Sequence, residues 1–177
     1  MKNSYAKSSL ICIILLGLLF SCSPPVQEVA VSATDSLDQE FLKVNRYSLD
    51  KHQDQIEAFV SRVGWAMEIS PTGLWYHIDH QGNGKAVRKN SRVSFSFSSR
   101  LLDGTPCYEI NEKNPKTIVV GKGGIEAGVE EGLMKMSEGD QAIFIIPPHL
   151  GHGNFGDRNK IPGNSVIIYK VRVLNVG

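Results

Sequence analysis

Hydrophobic and polar positions change texture several times along the chain. From Leu10 to Phe20 the sequence is apolar without a break, "LICIILLGLLF". After Cys22 comes a small, polar stretch with a diproline and no clear period, "CSPPVQEVAVSATDSLDQE". From Asp50 a helical pattern sets in, with Ile56, Phe59, Val60 and Val63 at spacings of three, four and seven. Ser48 or Asp50 is placed to cap its start and Gly64 to end it. From Met67 onward β-branched and aromatic residues dominate, in "GLWYHI", "SRVSFSFSSRLLDG", "KTIVVG", "QAIFII" and "SVIIYKVRVLNV". Turn chemistry such as "QGNGK" and "LDGTP" separates these runs. Phe95 and Phe97 alternate with serines, as in a strand with one buried and one wet face. One helix is predicted among the strands, roughly Ala127 to Met136, with Val129, Leu133 and Met136 facing inward. Glu131 and Lys135 are spaced to pair on its outer side. The pattern predicts an α+β fold: an antiparallel sheet with one helix packed across it.

Composition narrows the picture. The chain has 177 residues, 41% hydrophobic and 21% charged, which suits one globular domain with extensions and excludes wholesale disorder. A net charge of +1 gives no reason to expect nucleic acid. The Leu10–Phe20 run is short of the roughly 20 apolar residues of a membrane span and follows Lys2 and Lys7, as in a signal peptide. "LFSC", Leu19 to Cys22, resembles the lipobox of bacterial lipoproteins, in which the cysteine is lipidated and becomes the new N-terminus. An ordinary signal peptide carrying a cysteine, or an uncleaved anchor, is the competing reading. Cleavage before Cys22 would remove both lysines and turn the net charge to −1. Cys12 would leave with the signal and Cys22 would carry lipid, so Cys107 alone remains and no internal disulfide is expected.

Several chemistries fit poorly. "VVGKGGIEAG" joins a strand, a glycine-rich turn and a helix start, but the alternating strands and helices of a dinucleotide fold are missing. His77 and His80, and His149 and His152, share a spacing of three without an HExxH or CxxC companion, and read better as turn residues than as zinc ligands. Cys107 has no convincing base or orienting group to make it a nucleophile.

Taken together, "LLDG", "VGKGGIEAGVEEGLMKMSEGDQAIFIIPP" and "GNFGDRNKIPGNSVIIYKVRVL", with the entry strand around Phe95 and Phe97, resemble an FKBP-type peptidyl-prolyl cis–trans isomerase domain. The lipobox, the N-terminal helix and "SPTGLWYHIDHQGNGK" are similar to a branch of secreted FKBP lipoproteins that includes gliding-motility-associated ones. The resemblance implies a strongly bent antiparallel sheet wrapped around one short helix, with a shallow pocket between them for a proline ring. It implies no cofactor, nucleophile or metal.

By the same resemblance, Phe97 stands where the family has a wall tyrosine, Ile125 is an aliphatic wall residue and Tyr169 an aromatic one. Glu126 occupies the position whose backbone N–H holds the substrate carbonyl, and Ile161 lies in the flap before Pro162. Val129 replaces the family's tryptophan floor, and His152 replaces a flap tyrosine. Cys107 and Tyr108 replace a Phe-Asp pair, with Tyr108 able to swing in as a wall, and Lys116 falls at another aromatic position. The resemblance therefore implies an isomerase acting on proline-containing polypeptide clients of the cell envelope, with weakened activity. The alternative is a non-catalytic binding module or a structural lipoprotein of a motility or secretion complex. The expected layout is a signal peptide over 1–21, a tether over 22–46 from lipidated Cys22, an accessory helix and linker over 47–73, and an FKBP-type domain over 74–177. Ser23 after the cysteine resembles lipoproteins sorted to the outer membrane, facing the periplasm, and the N-terminal helix could pair two copies.

Overall fold

The computed structural model describes residues 29–177 apart from Gln81; the predicted signal segment and Cys22 lie outside the described residues. The chain divides after Val44, and the second unit, Asn45–Gly177, holds every strand found among the described residues. Helix α1 spans Val29–Val63, followed by β1 (Glu68–Ile69), β2 (Trp75–Asp79), β3 (Arg92–Leu101), β4 (Pro106–Ile110) and β5 (Lys116–Val119). Helix α2 (Ala127–Leu133), β6 (Gln141–Ile146), two 3-10 turns (Pro148–Leu150 and Gly153–Phe155) and β7 (Ile167–Val176) complete the chain.

The seven strands form one antiparallel sheet in the order β1-β2-β6-β7-β3-β4, with β5 also paired to β3. The ten-residue β3 lies along β7 over its whole length, and its ends pair separately with β4 and β5. The burial pattern of β7 shows why its residues are what they are. Ile167, Ile168 and Tyr169 are all buried because both faces of the sheet are covered there. Farther on, Lys170 and Arg172 are exposed between buried Val171 and Val173, the alternation of a sheet with one wet face.

On one face, Phe95, Phe144, Ile146, Tyr169, Val171 and Val173 meet Val129, Leu133 and Met136 in the main core, as the inward positions of the predicted helix require. Helix α2 can lie this close because Gly128 and Gly132 face the sheet. A Cβ at Gly132 would stand 2.4 Å from the Phe144 ring, and one at Gly128 would stand 2.8 Å from Ile146. The helix is shorter than expected, ending at Leu133, and Met136 reaches the core from the turn beyond it. Glu131 and Lys135 go to other partners: Glu131 accepts from the Thr72 hydroxyl, and the Lys135 ammonium sits 4.7 Å from the Tyr76 ring centroid.

On the opposite face, Ile56, Phe59 and Val60 of α1 pack with Trp75, Ile145, Val166 and Ile168. Each such side chain contributes about 1.5–3 kcal/mol when fully buried, so the stripe suffices to hold this part of α1 on its own domain. The helix differs from the sequence expectation at its start. It begins at Val29 rather than near Asp50, so Ser48 and Asp50 are interior and residues 29–46 are helical rather than a tether. No Gly or Pro interrupts Val29–Val63, so nothing stops the helix before Gly64, whose φ of +69° lets the chain turn away. No described helix is long and apolar enough to cross a membrane.

Candidate functional site

The residues singled out from the sequence converge at the start of α2. Val129 projects from the first turn of the helix into the core, while Phe97 on β3 and Tyr169 on β7 lie side by side with ring centroids 5.2 Å apart. Phe95 stands 6.0 Å behind Phe97. Cys107 from β4 and Ile161 from the segment between β6 and β7 are buried in the same cluster. Phe97, Tyr108 and Ile125 pack half-buried against it. Lys116 is half-buried at the start of β5, paired with Phe95, and is not among the cluster residues.

Two polar residues complete the group. Glu126 is the residue before α2, extended at φ −60° and ψ 143°, and its carbonyl accepts from the Glu130 N–H at 3.0 Å. Its own backbone N–H donates to no group among the described residues. Its carboxylate folds back over the cluster, where the Tyr169 hydroxyl donates to Oε1 at 2.7 Å. His152 Nε2 approaches the same oxygen to 2.7 Å, close enough for an ion pair yet off the axis of an aligned hydrogen bond. Burial, reinforced by the neighbouring Glu126 carboxylate, pushes the Tyr169 phenol far above its ordinary value, so it stays a protonated donor.

The segment after β6 is shaped by Asp157, a residue the sequence reading did not single out. One carboxylate oxygen accepts from the Asn159 and Ile161 N–H groups, both at 2.8 Å, and the other accepts from the Tyr108 hydroxyl. The Asp157 N–H donates back to the Ile161 carbonyl at 3.0 Å. Desolvation opposes the charge on Asp157, but these donors and the nearby His152 outweigh it and bring the carboxyl down to about 2. The available signal was "GDRN", an Asp in turn company able to bond its own backbone two residues on. Tyr108 thus packs beside the cluster with its hydroxyl committed to Asp157, and Lys160 lies 5.2 Å over its ring.

The arrangement offers an aliphatic floor, two aromatic walls and one unengaged N–H at the edge. Val129, Tyr169 and Ile161 are covered, at 0%, 1% and 2% exposed, while Phe97 and Ile125 are half-buried. The Glu126 and His152 side chains beside Tyr169 are 13% and 26% exposed. Burial pushes the Cys107 thiol up, away from the thiolate a nucleophile needs.

Other features lie elsewhere. A cavity of about 570 Å³ opens among charged and hydroxyl groups that include His77, Ser98, Glu109 and Lys170; it shares Phe97 with the cluster but touches none of Glu126, Val129 or Tyr169. His149 Nε2 lies 2.9 Å from the Thr72 carbonyl, and His80 Nδ1 lies 3.1 Å from buried Asp140. Among the described residues no group of three or more His, Cys, Asp or Glu is placed to hold a metal.

Comparison with known proteins gives this geometry a family. The family model described as FKBP-type peptidyl-prolyl cis-trans isomerase matches residues 83–174. The FKBP-type isomerase FkpA of Buchnera aphidicola subsp. Schizaphis graminum is 27% identical over 152 residues, covering 85% of this chain and 59% of that protein. A relative from Neisseria meningitidis serogroup B is 25% identical over 153 residues, covering 85% of this chain and 56% of its own length. The chain thus spans under two thirds of these relatives. FK506-binding protein 1A of Aspergillus fumigatus is 32% identical over 106 residues, 59% of this chain and 95% of that one. The crystal structure of FkpA from Escherichia coli shares the fold at a TM-score of 0.60 and 22% identity, covering 96% of this chain and 81% of that chain. The chain belongs to the FKBP-type peptidyl-prolyl cis-trans isomerase family.

Proposed function

We propose that the cluster around Val129 is a seat for a proline ring and that the protein is a peptidyl-prolyl cis–trans isomerase of weakened activity. The observation that carries this reading is the unengaged Glu126 N–H at the edge of an apolar cluster walled by Phe97 and Tyr169. Rotation about an X–Pro bond crosses a barrier of about 18–20 kcal/mol because the planar imide is resonance-stabilised. The twisted imide is less polar than the planar one, so a dry, apolar seat favours the transition state. The Glu126 N–H holds a neighbouring substrate carbonyl in place while the bond turns. A backbone donor is indifferent to side chain, so a glutamate can stand here.

Weakening follows from the floor. Val129 offers about 50–100 Å² less apolar contact than an indole, or about 1–3 kcal/mol. If half of that acts only in the transition state, the rate falls about ten-fold. Titration of the full-length chain with a proline peptide, followed by backbone amide NMR, tests the seat. The Glu126 amide should shift first and most, and shifts confined to the opposite sheet face would refute it.

The Leu10–Phe20 run and Cys22 support an exported, lipid-anchored protein that assists folding of proline-containing clients in the envelope, on the periplasmic side of the outer membrane. Incorporation of labelled palmitate that Cys22→Ser abolishes is the expected result; unchanged labelling would contradict the anchor. The full burial of Val129, Tyr169 and Ile161 favours a second reading, an FKBP fold kept for binding or as part of a motility or secretion complex, in which α1 could pair two copies.

A further inference from the structure

We propose that the corner carrying Arg88, Lys89, Arg92 and Lys122 is a docking surface for a lipid bilayer with anionic phosphate headgroups. The inference stands apart from the proline seat and needs no occupant there.

Two tight turns build this corner. In the first, Arg88–Ser91, the Ser91 N–H donates to the Arg88 carbonyl at 3.0 Å. In the second, Val119–Lys122, the Lys122 N–H donates to the Val119 carbonyl at 3.1 Å. Two further bonds join the turns: Asn90 N–H to the Val120 carbonyl at 2.9 Å, and Val120 N–H to the Ser91 carbonyl at 3.0 Å. Arg92 continues from the first turn as the register partner of Val119. The Lys89 stem lies along Gly121, where a Cβ would stand 3.3 Å from its Cγ. Turn ends lie under about 7 Å apart and paired strands about 5 Å apart, so the four cations share one corner.

All four are exposed, and none makes an ion pair among the described residues. Like charges held together repel one another, and a surface of opposite sign relieves that repulsion. Two carboxyl groups adjoin the corner. Glu130 accepts from the Gly121 N–H, and Gly177 pairs through its backbone with Arg92. Neither reaches ion-pair distance of the four cations, which outnumber them.

The chemistry of the corner selects the partner. No exposed large apolar side chain lies on either turn, so the apolar anchor that organises a protein–protein contact is missing. No aromatic ring lies there to stack a base. Long cationic side chains on a hydrogen-bonded base suit a plane of mobile phosphates, which can gather beneath them.

The test follows lysine acetylation of the full-length chain, residue by residue, by mass spectrometry. One sample holds vesicles of phosphatidylglycerol and phosphatidylcholine in equal parts, and the other phosphatidylcholine alone. The apolar Leu10–Phe20 run is common to both samples, so the comparison isolates charge. Lys89 and Lys122 should react about five-fold more slowly on the anionic vesicles, while Lys170, exposed on β7, reacts alike on both. Salt at about 0.5 M should restore the rates. In cosedimentation, combining Arg88→Gln, Lys89→Gln, Arg92→Gln and Lys122→Gln should lower the preference for anionic vesicles at least ~10-fold. Equal lysine rates on both vesicles, slowing of Lys170 as large as that of Lys89, or a preference unchanged in the variant overturns the inference. Equal slowing by inorganic phosphate at the same phosphate concentration would mean a discrete phosphate site, and equal slowing by duplex DNA would mean any polyanion. Either result overturns the assignment to lipid.

Discussion

The Tyr169 hydroxyl donates to Glu126 Oε1 at 2.7 Å across 43 positions of sequence, tying β7 to the start of α2. Its phenol is pushed up from an ordinary value of 10.0 by burial and by the Glu126 charge, so folding favours the protonated form. The stability this contributes is fully present below pH 10.0 and is lost as pH rises beyond it toward the folded value. Tyr169→Phe keeps the ring but leaves the carboxylate without its donor, and should cost about 1–2 kcal/mol at neutral pH. In urea unfolding across pH, wild type should lose stability above about pH 10 while Tyr169→Phe declines less. Parallel curves would contradict this account.

Gly132 is required by the close approach of α2 to Phe144. A Cβ there would stand 2.4 Å from the ring, and the buried ring has no room to retreat. Although alanine is the better helix former, Gly132→Ala should destabilise the domain by about 1–3 kcal/mol. A shifted urea midpoint at unchanged slope is the expected sign, and an unchanged or raised midpoint would show that the helix can slide.

Asp157 sets the acid limb of stability. Its folded value of about 2 lies below the ordinary 3.8, so its contribution is present above 3.8 and is lost as pH falls toward 2. Asp157→Asn should flatten the loss of stability between those values and loosen the turn that positions Ile161. Acid unfolding of the two proteins, compared directly, decides this; identical acid limbs would contradict it.

Asp140 anchors the loop before β6. Its wholly buried carboxylate accepts from the Ser137 N–H at 2.7 Å and the Gly82 N–H at 3.0 Å, with His80 Nδ1 at 3.1 Å. Asp140→Ala strands those donors and should cost about 3–5 kcal/mol by thermal or urea unfolding. A loss under about 1 kcal/mol would mean that water replaces the carboxylate readily.

The sheet and α2 could be read from sequence because their signals are local. The serines alternating with Phe95 and Phe97, the run of β-branched residues in β7, and the spacing of Val129, Leu133 and Met136 each follow from one element having one buried face. The start of α1 could not, since its first half carries no apolar period and only the absence of Gly and Pro allows it to be helical. Family resemblance assembled the apolar cluster but not its polar lid. Glu126 was read as a backbone donor, whereas its side-chain partners Tyr169 and His152 come from distant segments that only the folded chain brings together. The cross-chain bonds of Asp157 and Asp140 were out of reach for the same reason: their partners Tyr108 and Gly82 lie 49 and 58 positions away.

The most direct test of the proline seat is X–Pro isomerisation by the full-length chain, measured without a coupling protease, beside a Val129→Trp variant. The account predicts a wild-type rate above the spontaneous one, raised about ten-fold by the indole floor. Rates equal to the spontaneous one in both proteins, with both folded, would contradict it.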